Sequence, residues 1–506
     1  DWYNPNWGGG YNATFQITLT EEMVVGDSVE GWSINLGFNN AQGTITSGWL
    51  DGFNGSVDFD ASAGVFTNEG QDYQPSLGVG ETIQFTVQVQ DVGFNADDFS
   101  LTFNDLDPEM DLPGYKVDTS VDPEAIQKAV ELIQNAERPI LYVGGGILKS
   151  RAAESLLELA ELTGIHVVTT LMARGAFPDS HELCLGMPGM HGNFTAVTAM
   201  QESDLLITLG ARFDDRVTGK LDEFAVSAKI IHIDIDPAEL GKVRRPDVPI
   251  QGDCRTAVEA MVSVLRDSGP GDADRTAWKS RISGWQERFP LVYEPSTPGQ
   301  ALKPQFVIEK LRDATPADTI VASGVGQHQM WASQYWTFNH PYTWINSGGL
   351  GTMGFSIPAA IGAKVGCPDK MVWAVDGDGC FQMTAQELVT ARVENIPIKV
   401  ALLNNSYLGM VRQWQDMFYE ERHSEVFLSK EIPDYKGWAE SMGCFAMRVD
   451  DPDEVEEAIA QANEIEDRPV VIDFRTAAEE KVYPMVASGT GNSDVIVPPS
   501  QEKEIR

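Results

Sequence analysis

Through residues 1–105 apolar and polar side chains alternate: Ala13, Phe15, Ile17 and Leu19, then Trp32, Ile34, Leu36 and Phe38, and later Ile83, Phe85, Val87 and Val89. A period of two between Gly- and Asn-rich turns predicts antiparallel strands and an all-β sandwich. The pattern lapses at 106–122 into Asp, Pro and Gly, which reads as a linker. Asp122-Pro123 then opens a helix with Ile126, Val130 and Ile133 on one stripe. From there, buried-type apolar runs at 139–143, 166–170, 204–209 and 230–235 alternate with helical spacing, the mark of a parallel sheet with helices on both faces. The stretch 123–265 is thus one domain, and the charged, Pro-containing 266–303 a connector. A second α/β domain covers 304–486, opening with Pro304 and a helix at 305–312, and 487–506 is a tail. The predicted fold is α/β: two doubly wound parallel-sheet domains preceded by an all-β sandwich.

The most informative stretch lies in the last domain. The run Met371 to Val375 ends in Asp376-Gly377-Asp378-Gly379, residues 384–393 carry helical spacing, and the run Ile398 to Leu403 ends in Asn404-Asn405. Strand, loop, helix and strand in right-handed crossover bring both strand ends to one sheet edge, where α/β sheets bind ligands. Gly377 and Gly379 let the backbone approach a phosphate, and Asp378 with the Asn405 amide oxygen are hard ligands suited to Mg²⁺ on a diphosphate. Gly-Asp-Gly alone is better read as a plain βαβ unit with polar loop ends. The separation of Gly379 from Asn404 changes this, because a Gly-Asp-Gly and an Asn-Asn so spaced resemble the metal-diphosphate motif of thiamine diphosphate enzymes. Upstream, Thr319 to Trp331 reads as strand, glycine loop and helix start, which sets Gln327 and His328 to hydrogen-bond a diphosphate, though a lone His there is commonly structural.

Composition narrows the partners. The 506 residues carry 36 Lys+Arg against 75 Asp+Glu, a formal charge of −39 and a pI near 4.4. Such a field repels nucleic acid and anionic membrane surfaces. Five scattered cysteines without metal-like pairing argue for free thiols in a reducing compartment, and no apolar run reaches membrane-spanning length. The expectation is a cytoplasmic protein.

In the central domain, Gly144-Gly145-Gly146 closes a strand before a helix, a loop compatible with phosphate. Further strand ends collect Thr170-Leu171, Gly210-Ala-Arg-Phe-Asp-Asp-Arg216 and Asp234-Ile-Asp236-Pro237. Arg suits phosphate and carboxylate suits ribose hydroxyls, although any one of these charges could simply solvate a loop. Together with Gly186-Met-Pro-Gly-Met-His-Gly192 they closely resemble the FAD-binding domain of acetohydroxyacid synthase (acetolactate synthase), and with the diphosphate motif the resemblance runs from about 111 to 486. It implies FAD contacts at Gly144, Gly145, Gly146, Thr170, Leu171, His191, Arg212, Asp234 and Asp253, without net redox chemistry. It implies thiamine diphosphate contacts at Gly326, Gln327, His328, Gly351, Met353, Asp378, Gly379, Cys380 and Asn405. Among these, the Gly351 carbonyl would meet the cofactor's exocyclic amine and Met353 would hold the cofactor bent. Mg²⁺ would take Asp378, Asn405 and the Tyr407 carbonyl. Met410, Trp414 and Arg216 would line the substrate pocket, Trp414 favouring 2-ketobutyrate as acceptor for pyruvate. A homodimer or tetramer, and a regulatory small subunit, come with the same family.

The first 105 residues hold no Lys, Arg, His or Cys. Asn6-Trp-Gly-Gly-Gly-Tyr11, Gly31-Trp32, Thr46-Ser-Gly-Trp49 and Asp72-Tyr73 resemble family-two cellulose-binding modules, which implies a carbohydrate face at Trp7, Trp49 and Tyr73 and, if functional, an extracellular setting. In the synthase family a pyrimidine-binding domain, carrying a glutamate that protonates the cofactor's aminopyrimidine, stands at this place; no catalytic residue of that kind is identified. Two readings follow: a synthase condensing pyruvate with a second 2-keto acid in branched-chain amino acid biosynthesis, inactive alone, or a polysaccharide-binding fusion with inert enzyme domains.

Overall fold

A computed structural model describes residues 119–505 in full and, before them, the backbone of strands between Trp2 and Asn104. The chain divides into two compact units, Asp1–Val117 and Asp118–Arg506. In the first, the described strands form two four-stranded antiparallel sheets and a short antiparallel pair, Ser28–Val29 with Leu77–Gly78. Gly10–Thr18 pairs with Thr82–Gln90 so that Ala13, Phe15 and Ile17 oppose Val87, Phe85 and Ile83. The alternating apolar positions of both strands therefore share one face of the sheet. Tyr73 lies outside the described residues, as do the side chains of Trp7 and Trp49, so the carbohydrate face is not described.

The second unit contains two parallel sheets. In the first of them, Pro139–Val143 sits between His166–Thr169 and Leu205–Leu209, followed by Lys229–Asp234 and Val248–Gln251. The chain leaves the central strand in both directions, which opens a crevice at the carboxyl ends of Pro139–Val143 and Leu205–Leu209. Helices Pro123–Asn135, Ala153–Thr163 and Cys254–Ser268 cover one face with one continuous core. Asp122 caps the first of these by accepting from Glu124 N at 3.0 Å, and the expected stripe Ile126, Val130 and Ile133 is buried.

Two boundaries differ from expectation. The connector at 266–303 contains the helix Thr276–Arg288, whose Trp278, Ile282 and Trp285 are buried against the other sheet face with Phe213, Phe224 and Met200. Frequent charge hid a stripe in which two indoles and one isoleucine supply the apolar area. The tail at 487–506 is also packed: Met485–Val486 pairs with Val495–Ile496, Val495 and Val497 join Phe289 and Val197, and Gln501 Nε2 donates to the Pro290 carbonyl at 2.7 Å.

The second parallel sheet runs Trp344–Asn346, Ile320–Ser323, Val372–Gly377, Lys399–Asn404, Val470–Arg475 and Phe445–Val449. Its faces are covered by Pro304–Asp313, Gln327–Tyr335 and Val455–Glu464 on one side, and by Ser356–Gly366, Glu387–Val393 and Tyr435–Ser441 on the other. Of the segment expected as a helix at 384–393, Glu387–Val393 is helical, and a separate helix, Asp378–Thr384, precedes it across Ala385 and Gln386. The switch point lies between Ile320–Ser323 and Val372–Gly377.

Candidate functional site

Three glycines and a histidine occupy the crevice at that switch point. Ile320–Ser323 ends at Gly324, and the helix Gln327–Tyr335 begins after Gly326, whose φ of 152° favours glycine. A Cβ on Gly324 would stand 2.1 Å from Asp376 Oδ1 and 2.7 Å from His328 Nε2, and one on Gly377 would stand 2.7 Å from His328 Nδ1. The imidazole thus lies flush against two backbone loops.

Titratable groups are buried there without full partners. His328 Nε2 is 3.7 Å from Asp376 Oδ1, beyond hydrogen-bond reach, and has no other partner. Burial lowers the ring to about 3, so it is neutral at pH 7. Asp378 Oδ1 accepts from Gly379 N at 3.0 Å, but its Oδ2 has no partner although the residue is only 2% exposed. Burial pushes both Asp376 and Asp378 up to about 7. An orphaned carboxylate oxygen at this depth costs free energy unless a cation or donor meets it, and a hard divalent ion is the group that fits. His328, Asp376 and Cys380 bring possible ligand atoms within 4.8 Å of one another. The Cys380 thiol is 3.1 Å from the Val325 carbonyl, and burial pushes it up to about 12, so it is a neutral donor at pH 7.

The next strand end completes the corner. Asn404 turns inward, donating to Asp473 at 2.8 Å and accepting from Ser406 N at 3.2 Å. Asn405 Oδ1 accepts from Tyr407 N at 3.0 Å and keeps a lone pair for a metal. Gln327, expected to face a diphosphate, spends its side chain on the protein: Nε2 donates to Gln413 and to the Glu480 carbonyl, and Oε1 accepts from Asn405. Its backbone remains at the helix start.

Beside this corner, Gly351 takes a φ of 75° in the loop after Trp344–Asn346, and Leu350 is 89% exposed. Met353 is half-buried and would lie 3.5 Å from a Cβ on Gly379. Helix Gly409–Phe418 carries Met410 and Trp414, both half-buried, with Trp414 against Phe418 at 5.3 Å between ring centres. Arg216 has other neighbours: Asp215 at 3.1 Å, Met190 through its carbonyl, and the loop 486–489 with which it lines a small pocket.

In the central crevice, Gly144 and Gly146 abut Gly210: a Cβ on Gly144 would stand 2.1 Å from the Gly210 carbonyl oxygen. Gly144→Ala is expected to lower stability by about 1–3 kcal/mol, the usual cost of overpacking, seen as a melting midpoint several degrees lower; an unchanged midpoint would sink this account of the loop. Thr170 N donates to Val143, and the Leu171 carbonyl accepts from Trp344 Nε1 at 2.9 Å and Asn346 Nδ2 at 3.2 Å, tying this crevice to the second sheet. His191 is buried with Nδ1 unpartnered, and burial lowers it to about 4. Arg212 is exposed, with Asp214 no closer than 3.5 Å, so its guanidinium is available. Asp234 is raised by burial, while Asp253 caps Cys254–Ser268 through Arg255 N and Thr256 N.

Asp376 and Gln413 were given no role by the sequence reading. An acid closing an apolar strand run was the available signal for Asp376; for Gln413, within an amphipathic helix, none exists.

Residues 324–474 match the family model "Thiamine pyrophosphate enzyme, C-terminal TPP binding domain", and 126–261 match "Thiamine pyrophosphate enzyme, central domain". Over 392 residues, 77% of this chain, it is 55% identical to a protein named acetolactate synthase from Mycobacterium leprae, of which the match covers 63%. It is 54% identical over 391 residues to the acetolactate synthase large subunit of Corynebacterium glutamicum, covering 77% of this chain and 62% of the relative. A chloroplastic acetolactate synthase of Nicotiana tabacum is 44% identical over 405 residues, 78% of this chain and 60% of the relative.

Proposed function

We propose that residues 119–505 form the central and C-terminal part of an acetolactate synthase large subunit, a thiamine diphosphate enzyme that joins pyruvate to a second 2-keto acid. The carrying observation is the unpartnered Asp378 Oδ2, buried at the strand switch point of a matched thiamine pyrophosphate domain. Asp378, Asn405 and the Tyr407 carbonyl would hold Mg²⁺, and the backbone at Gly326, Gly379 and Cys380, with His328, would receive the diphosphate. The cofactor supplies the carbanion-stabilising centre. This chain's residues fix its diphosphate end, keep His328 neutral, and set Met410 and Trp414 on one helix beside the reacting keto acids. The same reading gives 2-ketobutyrate as acceptor, a homodimer or tetramer, a regulatory small subunit and a cytoplasmic setting. Among the described residues no helix is long and apolar enough to cross a membrane.

FAD is proposed for the central crevice, with Gly144–Gly146 and Thr170-Leu171 against the cofactor, Arg212 on phosphate and Asp234 on a hydroxyl. The support is the exposed Arg212 guanidinium, held only by a 3.5 Å ion pair with Asp214, and the orphaned His191 Nδ1. The purified protein is expected to be yellow, and Arg212→Ala to weaken FAD by about 10–100-fold, the loss of one charge-assisted hydrogen bond. Flavin fluorescence titration reads this; equal affinity in the variant would remove Arg212 from the site, and no flavin uptake by the parent would remove the FAD assignment.

A further inference from the structure

Helix Gly409–Phe418 is fastened by an amide more than by its apolar face. Val411 and Phe418 are 48% and 41% exposed, Trp414 is half-buried, and the fully buried residue of the helix is Gln413. The Gln413 side chain is engaged at both ends of its amide: Oε1 accepts from Gln327 Nε2 at 2.9 Å and from Val482 N at 2.8 Å, and Nε2 donates to the Val482 carbonyl at 3.1 Å. Gln327 Oε1 accepts in turn from Asn405 Nδ2 at 3.3 Å, and its Nε2 also reaches the Glu480 carbonyl at 3.0 Å. The first residue of the helix sits on the same two amides, since a Cβ on Gly409 would stand 2.1 Å from Gln327 Oε1 and 2.7 Å from Asn405 Nδ2. A chain of three amides thus runs from Asn405 to the helix.

We propose that Gln413 is a positioning residue that couples occupancy of the corner at Asn405 to the placement of helix Gly409–Phe418, and so of Met410 and Trp414. An amide has a donor end and an acceptor end, so fixing one in a chain fixes the sense of the next. A ligand drawing on Asn405 Oδ1 holds its Nδ2 on Gln327 Oε1, which commits Gln327 Nε2 to Gln413 Oε1. A flipped Gln327 would instead set donor against donor at Asn405 and acceptor against acceptor at Gln413. The inference rests on the cofactor reading above.

Hydrogen exchange on the whole chain, with and without thiamine diphosphate and Mg²⁺, tests it alongside calorimetric titration of the same samples. In the parent protein, bound cofactor is expected to slow exchange of the amides at 409–418 by about two- to tenfold, the range one neutral hydrogen bond provides. In Gln413→Met, which keeps volume but loses the amide, that slowing disappears while protection at 376–380 remains, and cofactor affinity falls by the same factor through linkage. Gln413→Glu, which keeps an acceptor for Gln327, retains the slowing. A merely structural Gln413 would change exchange equally with and without cofactor, and that result, or full slowing in Gln413→Met, overturns the proposal. Cofactor binding to the parent without slowing at 409–418 overturns the coupling and leaves the cofactor reading intact. No binding to the parent overturns both.

Discussion

Asp378→Ala is expected to abolish Mg²⁺-dependent binding of thiamine diphosphate, weakening it by about 100-fold or more, since changes in the shell outside a metal's ligands already cost about 10–100-fold. Asp378 is 2% exposed and its Oδ2 has no protein partner, a condition it shares with Asp376, but Asp378 is the one that opens the helix Asp378–Thr384 at the Gly-Asp-Gly turn. Removing it leaves the diphosphate without its neutralising ion, and the neighbouring Asp376 is packed instead against the Gly324 loop, where a Cβ on Gly324 would stand 2.1 Å from its Oδ1. Calorimetry should find cofactor affinity in the variant indifferent to Mg²⁺. Unchanged, Mg²⁺-dependent affinity would defeat the metal assignment. The same carboxylate makes binding pH-dependent. Its folded value, about 7, stands above the value near ~3.9 of an unfolded aspartate, so the folded apo protein binds its proton more tightly. Apo stability is therefore greatest below the unfolded value for this group, falls as pH rises toward 7, and is fully diminished above it. Metal binding needs the ionised form and runs the opposite way: affinity should rise by about tenfold per pH unit up to 7 and then level off. Asp378→Asn, with no proton to displace, should lose that slope along with most of the affinity.

Much of this corner was legible because its elements are short and punctuated. The run ending at Asp376 is continuous and apolar and the one ending at Leu403 is broken only by Lys399, close to what strands buried on both faces require, and Gly-Asp-Gly and Asn-Asn mark their ends. The helix after Asp122 was equally clear, since a capping acid and a proline precede a clean stripe. The edge strand Trp344–Asn346 and the late strands Phe445–Val449 and Val470–Arg475 were not picked out. The first is three residues long, and Phe445–Val449 exposes Arg448 as a partner for Asp473, so its pattern is broken by function in the sheet itself. The helix Thr276–Arg288 failed for another reason: its burial rests on three large side chains among charges, and periodicity weighs residues by number more than by area. Side-chain roles were less legible still. Gln327 looked like a diphosphate ligand because it begins a helix after glycines, yet its amide is committed to Gln413, Glu480 and Asn405, contacts from segments far along the chain. Arg216 stands in a motif typical of the family and pairs with Asp215 beside the loop 486–489, a neighbourhood that the sequence does not indicate.

A polypeptide limited to these 506 residues, supplied with pyruvate, thiamine diphosphate, Mg²⁺ and FAD, is expected to form acetolactate at least about 10²–10⁴ more slowly than a full-length relative, the usual worth of one positioned acid or base. The matched stretch covers 63% of the Mycobacterium leprae protein, and the residues proposed within it, Asp378, Asn405, His328 and the loops around them, would hold the diphosphate end of the cofactor. In the resembled family the aminopyrimidine is held and protonated by a glutamate from a separate domain. Glu21, Glu22 and Glu69 precede the described unit in turn-like sequence, and none stands in the context expected of that glutamate. Loss of orientation adds to the deficit, because a cofactor held at one end samples geometries in which its reacting carbon is not presented to the keto acid. Adding a separately expressed pyrimidine domain from a relative should recover part of the rate if the half-buried and exposed apolar side chains near the corner, Leu350, Met353, Val411 and Trp414, accept it. Cofactor affinity measured on the same samples separates two causes: tight binding with no turnover points to the proton-transfer step, and weak binding to the cofactor contacts. Acetolactate formation by the 506-residue chain alone at the rate of an intact relative would overturn this expectation and show that an acid within these residues serves the reaction.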